Sequence, residues 1–534
     1  MASPRACAAL GAALALLPTG CGGSAPGPGD GAGAGPGTAD RPNLLLVVWD
    51  TARRDRVGLY GAERDTTPGL DALAATGLVF DDCRAVAPST VPSHGSMFTG
   101  LFPAEHGATH ATRWLPDANV TLAELLADAG YGTYLFSANP NISSLENFDQ
   151  GFGTEDNLWG PRWRDRAREH LTRRLLGPEG LAVGGEAGRA ARLARGEVAD
   201  HELKGCGALV TEGFLGWLDG GAGGDGPWFA CLNYMEAHYP LQPPLELRER
   251  FLAGPDLEAS FTLDRSERRL WRHVFGLEPL PTDEVRVLDA VYDAAMAELD
   301  ALFVELWRGL EARGALEDTL VVLVSDHGEH LGEHGLFDHR YSLRDELVRL
   351  PLVLWWPGRV APGRTDRPVT NQDLFLTFLE AADVAPPAVV ADRATDAAAA
   401  AWAGASLLDP GALPTDRARF AHYLDDFGLL TEVVGPGEGP LDADRFRRPL
   451  RAVVRGERKL VVEDLPGAGA AAYDLAADPG EATPLAAPTD LAEELEAWTR
   501  GLAPAPQRQA PALDPRAAAE QEARLRALGY GGDD

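Results

Sequence analysis

The sequence predicts an α/β protein: a doubly wound, mostly parallel sheet flanked by helices, with a small C-terminal subdomain of antiparallel sheet and helix. Three observations predict it. Continuous apolar runs of strand length recur, each after a segment with helical pattern. Polar residues stand directly after several of these runs. Beyond about residue 385, short strand-like segments joined by turn residues replace the alternation.

The apolar runs define the strands of the main sheet. The first run, Leu44–Trp49, ends at Asp50 and has no polar alternation, which suits a strand covered on both faces. Three segments with a helical pattern are each followed by a strand-like run. They are TLAELLADAGYG followed by TYLFSAN, ALVTEGFLGWLD followed by WFACLNYMEAH, and YDAAMAELDALFVELWRGLEARGALED followed by TLVVLVSDHGE. LPLVLWWPG then adds another strand. This order predicts helices on both faces of one sheet.

The C-terminal part has its own pattern. RPLRAVVRGERKLVVED predicts two strands with a turn at Gly456. AAYDLAADPGEATPL predicts a strand followed by a turn, and DLAEELEAWTRGL predicts a helix. The resulting segmentation is a signal peptide (1–21), a tether (22–40), a main α/β domain (41–385), a linker or surface excursion (386–415), a C-terminal subdomain (416–505) and a charged tail (506–534).

The N-terminus has the layout of an export signal. One Arg, the apolar run Ala8–Leu17 and small residues precede Cys21, and the run is too short to span a membrane as a helix. Small residues before a Cys resemble a bacterial lipoprotein signal, in which Cys21 becomes the acylated first residue; cleavage without a lipid is the alternative. The Gly/Pro/Ala tract that follows predicts a flexible tether. We therefore expect an exported bacterial lipoprotein of the periplasm or outer envelope, which meets the membrane only through its N-terminal lipid anchor.

Charge and cysteine content narrow the function further. The net charge is −32, from 48 Lys and Arg against 80 Asp and Glu, which disfavours nucleic acid as a partner. An anionic substrate would need local cations at its site. Apart from Cys7 and Cys21, three cysteines remain (Cys83, Cys206 and Cys231), which allow at most one disulfide and no CxxC zinc knuckle.

Polar residues at strand ends predict one site. Asp50, Asn139 and His238 follow three of the predicted strands, and Asp326 with His327 follows another. Ligands of open α/β sheets bind at the carboxyl ends of the strands, so these side chains are expected to converge. Carboxylate oxygen and imidazole nitrogen suit a divalent cation, and Asp50, Asp326 and His327 are the candidate ligands.

The loop SDHGEHLGEHGLFDHR carries three more histidines, His330, His334 and His339. Its glycines allow close approach of the backbone to a ligand. Among these three, His330 is expected to be an ordinary surface histidine.

The stretch APSTVPSHGSMFTG predicts a helix with Pro92 in its first turn. Ser89, Thr90 or Ser93 could cap this helix, and from this stretch alone capping is the better interpretation. A helix start also attracts anions, and a hydroxyl held there beside a divalent cation could attack phosphorus or sulfur.

From Arg41 nearly to its end, the chain resembles the sulfatases of the alkaline phosphatase superfamily. PNLLLVVWDTARRDRVGLYG resembles their opening strand with its metal-binding Asp, and TVPSHGSMFTGLFPAEHG resembles their nucleophile segment. LNYMEAHYPLQPP resembles their mid-chain His motif, and VSDHGEHLGEHG resembles their second metal-binding segment. AYDLAADPGEATPLA and LRALGY resemble parts of their C-terminal subdomain. The resemblance implies an alkaline-phosphatase-like fold and a divalent-metal hydrolase (Ca²⁺, Mn²⁺, Zn²⁺ or Mg²⁺). It implies Asp50, Thr90, Asp326 and His327 as metal ligands, Thr90 as nucleophile, and His238 as a substrate contact.

The sequence also departs from the sulfatase pattern. Sulfatases oxidise a Cys or Ser to formylglycine, whereas Thr90 stands here; Thr51 replaces a second metal Asp. His94 stands where the motif has Arg, and His339 is assigned to the place of a catalytic Lys. An Asp, Thr, Asp, His set is similar to the metal sites of nucleotide pyrophosphatases, phosphoethanolamine transferases and lipoteichoic acid synthases, which use an unmodified Thr.

Three functions are compatible with these residues. The first is an extracytoplasmic metal-dependent hydrolase that cleaves a phosphate, phosphonate or sulfate ester through unmodified Thr90, on a small anionic substrate that could be linked to a glycan or lipid. The second is a transferase that moves a phospho-group onto an envelope glycan or lipid, although the transferases of this group carry membrane spans that this chain lacks. The third is a non-catalytic, envelope-tethered binding protein.

Overall fold

A computed structural model describes residues 41–174, 203, 205–221, 226–263, 267–396, 399–400, 402–424, 433–434, 446, 448–463 and 469–506. The predicted signal peptide and tether lie outside these residues, as do all but the first residue of the predicted tail. In the described part, no helix has the length and apolarity needed to cross a membrane.

Strands and helices alternate through the first two thirds of the chain. The strands are β1 (Asn43–Trp49), β2 (Leu78–Phe80), β3 (Cys83–Arg84), β4 (Gly132–Ser137), β5 (Thr154–Asn157), β6 (Trp228–Tyr234), β7 (Thr319–Val324), β8 (His330–Leu331), β9 (Phe337–Asp338), β10 (Arg349–Leu350), β11 (Leu352–Trp355), β12 (Gly363–Thr365), β13 (Val369–Thr370), β14 (Arg419–Tyr423), β15 (Leu450–Arg455), β16 (Arg458–Glu463) and β17 (Ala470–Asp474). The helices are α1 (Pro68–Ala74), α2 (Thr90–Thr99), α3 (Pro103–His106), α4 (Leu122–Asp128), α5 (Arg164–Arg174), α6 (Gly207–Asp219), α7 (Leu245–Phe251), α8 (Gly254–Thr262), α9 (Glu267–Val274), α10 (Thr282–Glu311), α11 (Asp345–Val348), α12 (Leu374–Ala381), α13 (Ala388–Thr395) and α14 (Thr489–Gly501).

The main sheet has eight strands in the order β12-β2-β11-β7-β1-β6-β4-β5. The first predicted strand, β1, lies at its centre and pairs in parallel with both β6 and β7. Within this sheet β11 runs antiparallel to both of its neighbours, because only loops, short strands and the one-turn helix α11 separate it from β7. The predicted doubly wound, mostly parallel sheet is confirmed.

Both faces of the sheet are buried, which explains the unbroken apolar runs. In β1, Leu45, Val47 and Trp49 belong to one apolar cluster, and the alternate residues Leu44, Leu46 and Val48 belong to another. Successive side chains of a strand point to opposite faces, so a strand buried on both sides needs apolar residues at every position. The long helix α10 contributes to the first cluster, and α2, α4 and α12 contribute to the second.

The C-terminal subdomain is the predicted antiparallel sheet with a helix. Its strand order is β14-β15-β16-β17, and the turn between β15 and β16 contains Gly456 in the left-handed conformation. In α14, Trp498 stacks on Phe420 of β14 with ring centroids 4.8 Å apart. The stretch 386–415 contains α13 and the buried Trp402, which packs in the same apolar cluster as Trp498.

Candidate active site

The carboxyl ends of the two central strands bring the predicted ligands together. Val48 of β1 pairs with Val324 of β7, so Asp50 and Asp326 emerge at the same level of the sheet. Donor atoms of Asp50, Asp326 and His327 all lie within 4.8 Å of one another, and all three side chains are fully buried. The structure therefore brings Asp50 together with two adjacent residues that follow it by more than 270 positions in the chain.

Thr90 begins α2 directly beside this cluster. Its Oγ1 donates a hydrogen bond of 3.2 Å to His327 Nε2, and its side chain is fully buried. Pro92 lies in the first turn, as predicted. The capping interpretation is wrong: Ser89 is the N-cap residue, but its side chain accepts no capping hydrogen bond. Ser93 Oγ instead donates to the Asp326 carbonyl at 2.7 Å and ties the helix start to the end of β7.

Each carboxylate in the cluster has one oxygen held and one oxygen open. Asp50 Oδ2 accepts from Asn139 Nδ2 at 2.8 Å, and Asp326 Oδ1 accepts from the backbone N–H groups of Thr51 (3.1 Å) and His327 (2.8 Å). Asp50 Oδ1 and Asp326 Oδ2 are buried and accept no hydrogen bond from the described residues. Oriented carboxylates with one open oxygen each are suited to binding a cation.

The charge balance of the cluster also fits a cation. Burial, followed by the charge of Asp326, raises the pKa of Asp50 to about 7, and burial raises the pKa of Asp326 to about 7. Burial lowers the pKa of His327 to about 3, so its ring is neutral. His327 Nδ1 donates to the Gly328 carbonyl at 2.9 Å, which leaves the Nε2 lone pair facing the cluster. These residues could bind one divalent metal ion.

Thr51 has a positioning role. It adopts a φ of 60°, and its Oγ1 donates to the Asp50 carbonyl at 2.7 Å. Tyr292 of α10 donates from its hydroxyl to the Thr51 carbonyl at 2.6 Å. The Thr51 backbone is thereby fixed so that its N–H reaches Asp326, and its hydroxyl hydrogen bonds to backbone and not to the cluster.

The three other predicted catalytic residues surround Thr90 and His327. His94 Nδ1 donates to the Thr90 carbonyl at 3.0 Å, and burial lowers the pKa of His94 to about 3, so this ring brings no positive charge to the place of the Arg in the motif. His339 stacks near His327, with ring centroids 4.4 Å apart, and His238 packs against His339 at 5.3 Å. Burial would lower the pKa of His339, but the charges of Asp338 and Glu329 raise it to about 10.

The expectation for His330 is wrong. Its side chain is fully buried in β8, and burial lowers its pKa well below the usual value. Two-residue strands pair His330 with Asp338, and this pairing encloses the ring. His334, in the turn of the same hairpin, is partly exposed and lies 3.6 Å from Glu346 Oε1.

Sequence reasoning missed Asn233, Glu329 and Asp338. Asn233 Nδ2 donates to His94 Nε2 at 3.3 Å and to Asp50 Oδ2 at 3.4 Å, yet it lies inside an otherwise apolar strand without a motif spacing to mark it. Glu329 and Asp338 form with His339 a second group whose donor atoms lie within 4.8 Å of one another. Their positions in SDHGEH and FDHR, inside a His-rich loop, are the signal that could have identified them.

Two long stretches that connect strands of the main sheet are only partly described. Residues 175–202 lie outside the described part. The stretch from Leu245 to Pro281 forms α7, α8 and α9, and Trp271 of α9 packs edge-on against Tyr341, just after His339.

Comparison with known proteins agrees with the fold. The family described as Sulfatase matches residues 42–384. The uncharacterized sulfatase YidJ of Escherichia coli (strain K12) is 26% identical over 364 residues, covering 66% of this chain and 69% of that protein. BT4656, solved in complex with its substrate D-glucosamine-2-N,6-O-disulfate, has a TM-score of 0.61 at 22% identity, covering 86% of this chain and 97% of that chain.

A phosphonate monoester hydrolase of Agrobacterium radiobacter has a TM-score of 0.60 at 22% identity, covering 86% of this chain and 94% of that chain. Solved structures with sulfatase and phosphonate hydrolase chemistry thus share this fold, and the family match spans more than half of the sequence. The chain belongs to the sulfatase family of sulfate- and phosphate-ester hydrolases.

Proposed function

We propose that this chain is a metal-dependent hydrolase in which the unmodified hydroxyl of Thr90 attacks an ester of phosphate or phosphonate, with sulfate esters cleaved more slowly. One observation carries the proposal. Thr90 Oγ1 lies at the start of α2, 3.2 Å from His327 Nε2, beside two buried carboxylates that each keep one open oxygen.

Asp50, Asp326 and His327, with Thr90 beside them, are the residues that would hold the metal. A divalent ion bound there would lower the pKa of an adjacent hydroxyl and polarise an ester oxygen. The chain itself supplies orientation: Asn139 fixes Asp50, the Thr51 backbone fixes Asp326, and Gly328 fixes the ring of His327. Thr90 lies at the N-terminal end of α2, and the N-terminal end of a helix favours an anionic group such as that of the ester.

The identity of the nucleophile favours phosphorus over sulfur. A formylglycine hydrate has two hydroxyls, and after one carries the sulfate, the other expels it without attack on sulfur. Thr90 has one hydroxyl, and its side-chain methyl prevents formation of that aldehyde. The ester on Thr90 must therefore be cleaved by water at phosphorus or sulfur, and metal-assisted hydrolysis is well suited to phosphate.

His238 and His339 are proposed to contact the ester. His339 carries the raised pKa and lies between the rings of His327 and His238. Because BT4656 was solved with a sulfated glucosamine, a glycan-linked anion is a reasonable substrate class to include. A general acid or base of this kind contributes roughly a hundredfold or more to the rate, so His238→Ala should lower kcat by that factor with little change in melting temperature.

The metal site is tested by Asp326→Ala. The variant should lose one metal ion per chain and all ester hydrolysis while keeping the circular-dichroism spectrum of the wild type. Thr377→Ala, which removes a buried hydroxyl that hydrogen bonds to the Asp373 carbonyl and Leu407 N and to no residue of the cluster, serves as a control and should keep both metal and activity. Undiminished metal content in Asp326→Ala would rule out this assignment.

We also propose that the protein is exported and anchored by a lipid on Cys21. The small residues before Cys21 and the Gly/Pro-rich tract after it support this location. Wild-type protein should partition with membranes, and Cys21→Ser should release it into the soluble fraction. Recovery of the wild type as a soluble periplasmic protein would refute acylation.

A further inference from the structure

We propose that Glu329, Asp338 and His339 form a second cation site, which binds a first-row divalent ion such as Zn²⁺ or Mn²⁺ beside the cluster of Asp50, Asp326 and His327. The site is defined by its donor atoms and its burial, and it involves none of the residues that hold the first ion.

The three donors are close together and shielded from water. One ligand atom from each of the three lies within 4.8 Å of the others. Glu329 is fully buried, His339 is 1% exposed and Asp338 is 9% exposed. Two carboxylates taken out of water this completely need a cation or hydrogen-bond donors to offset the loss of hydration.

Glu329 does not find those donors among the described residues. Both of its carboxylate oxygens are buried without a hydrogen bond, and its contact with His339 Nδ1, at 3.5 Å, is longer than a good N–H···O bond. The hydroxyl of Tyr239 is also buried without a hydrogen bond in the described part. Burial raises the pKa of Tyr239 first, and the charges of Glu329 and Asp338 raise it further, as expected for a hydroxyl beside these carboxylates.

The backbone fixes the three donors before any ion binds. The strands β8 and β9 pair His330 with Asp338; Glu329 directly precedes β8 and His339 directly follows β9, so both adjoin this pair. Asp338 has a φ of 68°, in the left-handed region that an Asp adopts without severe strain, and its Oδ1 accepts from the His339 backbone N–H at 2.5 Å. A hairpin of this kind holds its donors in place, which lowers the cost of assembling a metal site.

The donor set indicates the kind of ion. Two carboxylates and one imidazole match the ligands that Zn²⁺ and Mn²⁺ bind, whereas Ca²⁺ prefers a shell made only of oxygen. His339 Nδ1 lies 2.8 Å from Asp338 Oδ1 and 3.5 Å from Glu329 Oε1, so one ring nitrogen faces both carboxylates and the three donors converge on one point. A metal ion bound there would need that nitrogen in its deprotonated form.

The second site touches the first. The rings of His327 and His339 are 4.4 Å apart, so an ion on each would form a two-cation centre. This consequence rests on the proposed hydrolase function: the second ion would then add its positive charge beside His339, where the anionic oxygens of the ester are proposed to bind. The binding of the ion does not depend on that function and can be measured without any substrate.

Metal content per chain tests the proposal. Protein saturated with Zn²⁺ or Mn²⁺ and freed of excess ion by gel filtration should hold two ions per chain by inductively coupled plasma mass spectrometry. Glu329→Gln and Asp326→Ala should each hold one. Glu333→Gln, a control in the same hairpin whose carboxylate pairs with Arg53, should hold two. Anomalous diffraction from the Mn²⁺ form should show a peak among Glu329, Asp338 and His339.

The outcomes separate this site from the first one. A single ion in the wild type that Asp326→Ala loses and Glu329→Gln keeps would overturn the second site and leave the proposed function standing. A single ion that Glu329→Gln loses and Asp326→Ala keeps would support the second site and refute the first. Two ions in Glu329→Gln would also overturn the proposal. If Glu329→Gln fails to fold, the anomalous map of the wild type decides in its place.

Discussion

The hydroxyl of Thr90 donates to His327 and makes no other described hydrogen bond. Its loss should therefore affect chemistry far more than stability. We expect Thr90→Ala to abolish ester hydrolysis while lowering the free energy of unfolding by about 1 kcal/mol, the value of one hydrogen bond. Thr90→Ser keeps the hydroxyl and should retain measurable activity. Comparable activity in Thr90→Ala and the wild type would contradict a nucleophilic role. Equal loss of activity in Thr90→Ala and Thr90→Ser would indicate that the Thr90 side chain matters for its shape and not for its hydroxyl.

The raised pKa of Asp50 predicts how the stability of the metal-free protein depends on pH. Burial raises the pKa of Asp50 from 3.8 to about 7 in the folded chain. Between these values the folded state keeps a proton that the unfolded state has lost, so the free energy of unfolding falls as the pH rises from about 4 to about 7. With EDTA present, urea unfolding at pH 5 and pH 8 should show this loss in the wild type and a smaller loss in Asp50→Asn. Equal losses in the two proteins would show that Asp50 does not titrate in this window.

Among single residues, prediction from the sequence was best where a polar residue ends an apolar run. Asp50 and Asp326 stand at such places, and the structure brings their carboxylates together. Asn233 was not predictable in this way, because a buried strand gives no periodicity against which one amide stands out. His330 was misjudged because histidines close together in a loop do not reveal which of them a small hairpin will enclose.

At the scale of elements, the close contact between the loop after β7 and α11 positions the site. Gly328 N donates to the Leu347 carbonyl at 2.7 Å, and a Cβ on Gly328 would lie 1.9 Å from the Glu346 carbonyl oxygen. Gly328→Ala must push these segments apart. We expect a loss of about 1–3 kcal/mol in stability, typical of overpacking, together with weaker metal binding.

The matched control for this substitution is Gly363→Ala on the edge strand β12. A Cβ at Gly363 meets no atom within 4 Å, so its melting temperature and metal affinity should stay close to those of the wild type. Thermal unfolding and metal titration of both variants check the prediction. Wild-type stability and affinity in Gly328→Ala would show that the loop is looser than the structure indicates.

The elements themselves were predicted unevenly. Long apolar runs and helices identified the central strands and α10, since burial on both faces leaves a strong signal in the sequence. The antiparallel direction of β11 was not predicted, because strand direction depends on the connection and not on the run. The strand β14, which pairs with β15 at the edge of the C-terminal sheet, was also missed, because its five residues mix charged, polar and apolar side chains.

At the scale of the whole molecule, a buried ion pair joins the C-terminal subdomain to the helix α11. Lys459 of β16 is fully buried, with its Nζ 2.9 Å from Asp345 Oδ1 and 2.7 Å from Glu481 Oε1. Lys459→Met leaves two buried carboxylates short of a cation and should cost about 3–5 kcal/mol. The neighbouring exposed pair of Arg458 with Asp490 provides the control, and Arg458→Met should cost roughly 1 kcal/mol or less. Equal costs in chemical denaturation would contradict this account of the subdomain contact.

The family match, the arrangement of strands and the cluster at their carboxyl ends all support an ester hydrolase, and the central claim is that Thr90 itself performs the attack. The most direct test is the kcat/KM of metal-loaded protein on an aryl phosphate, an aryl phosphodiester and an aryl sulfate with the same leaving group, combined with mass spectrometry of the Thr90 peptide from quenched reactions. We predict higher kcat/KM on the phosphorus esters, and a phosphorylated Thr90 with no oxidised form of this residue. Efficient sulfate hydrolysis without any activity on phosphorus esters, or turnover with Thr90 never modified, would contradict the account.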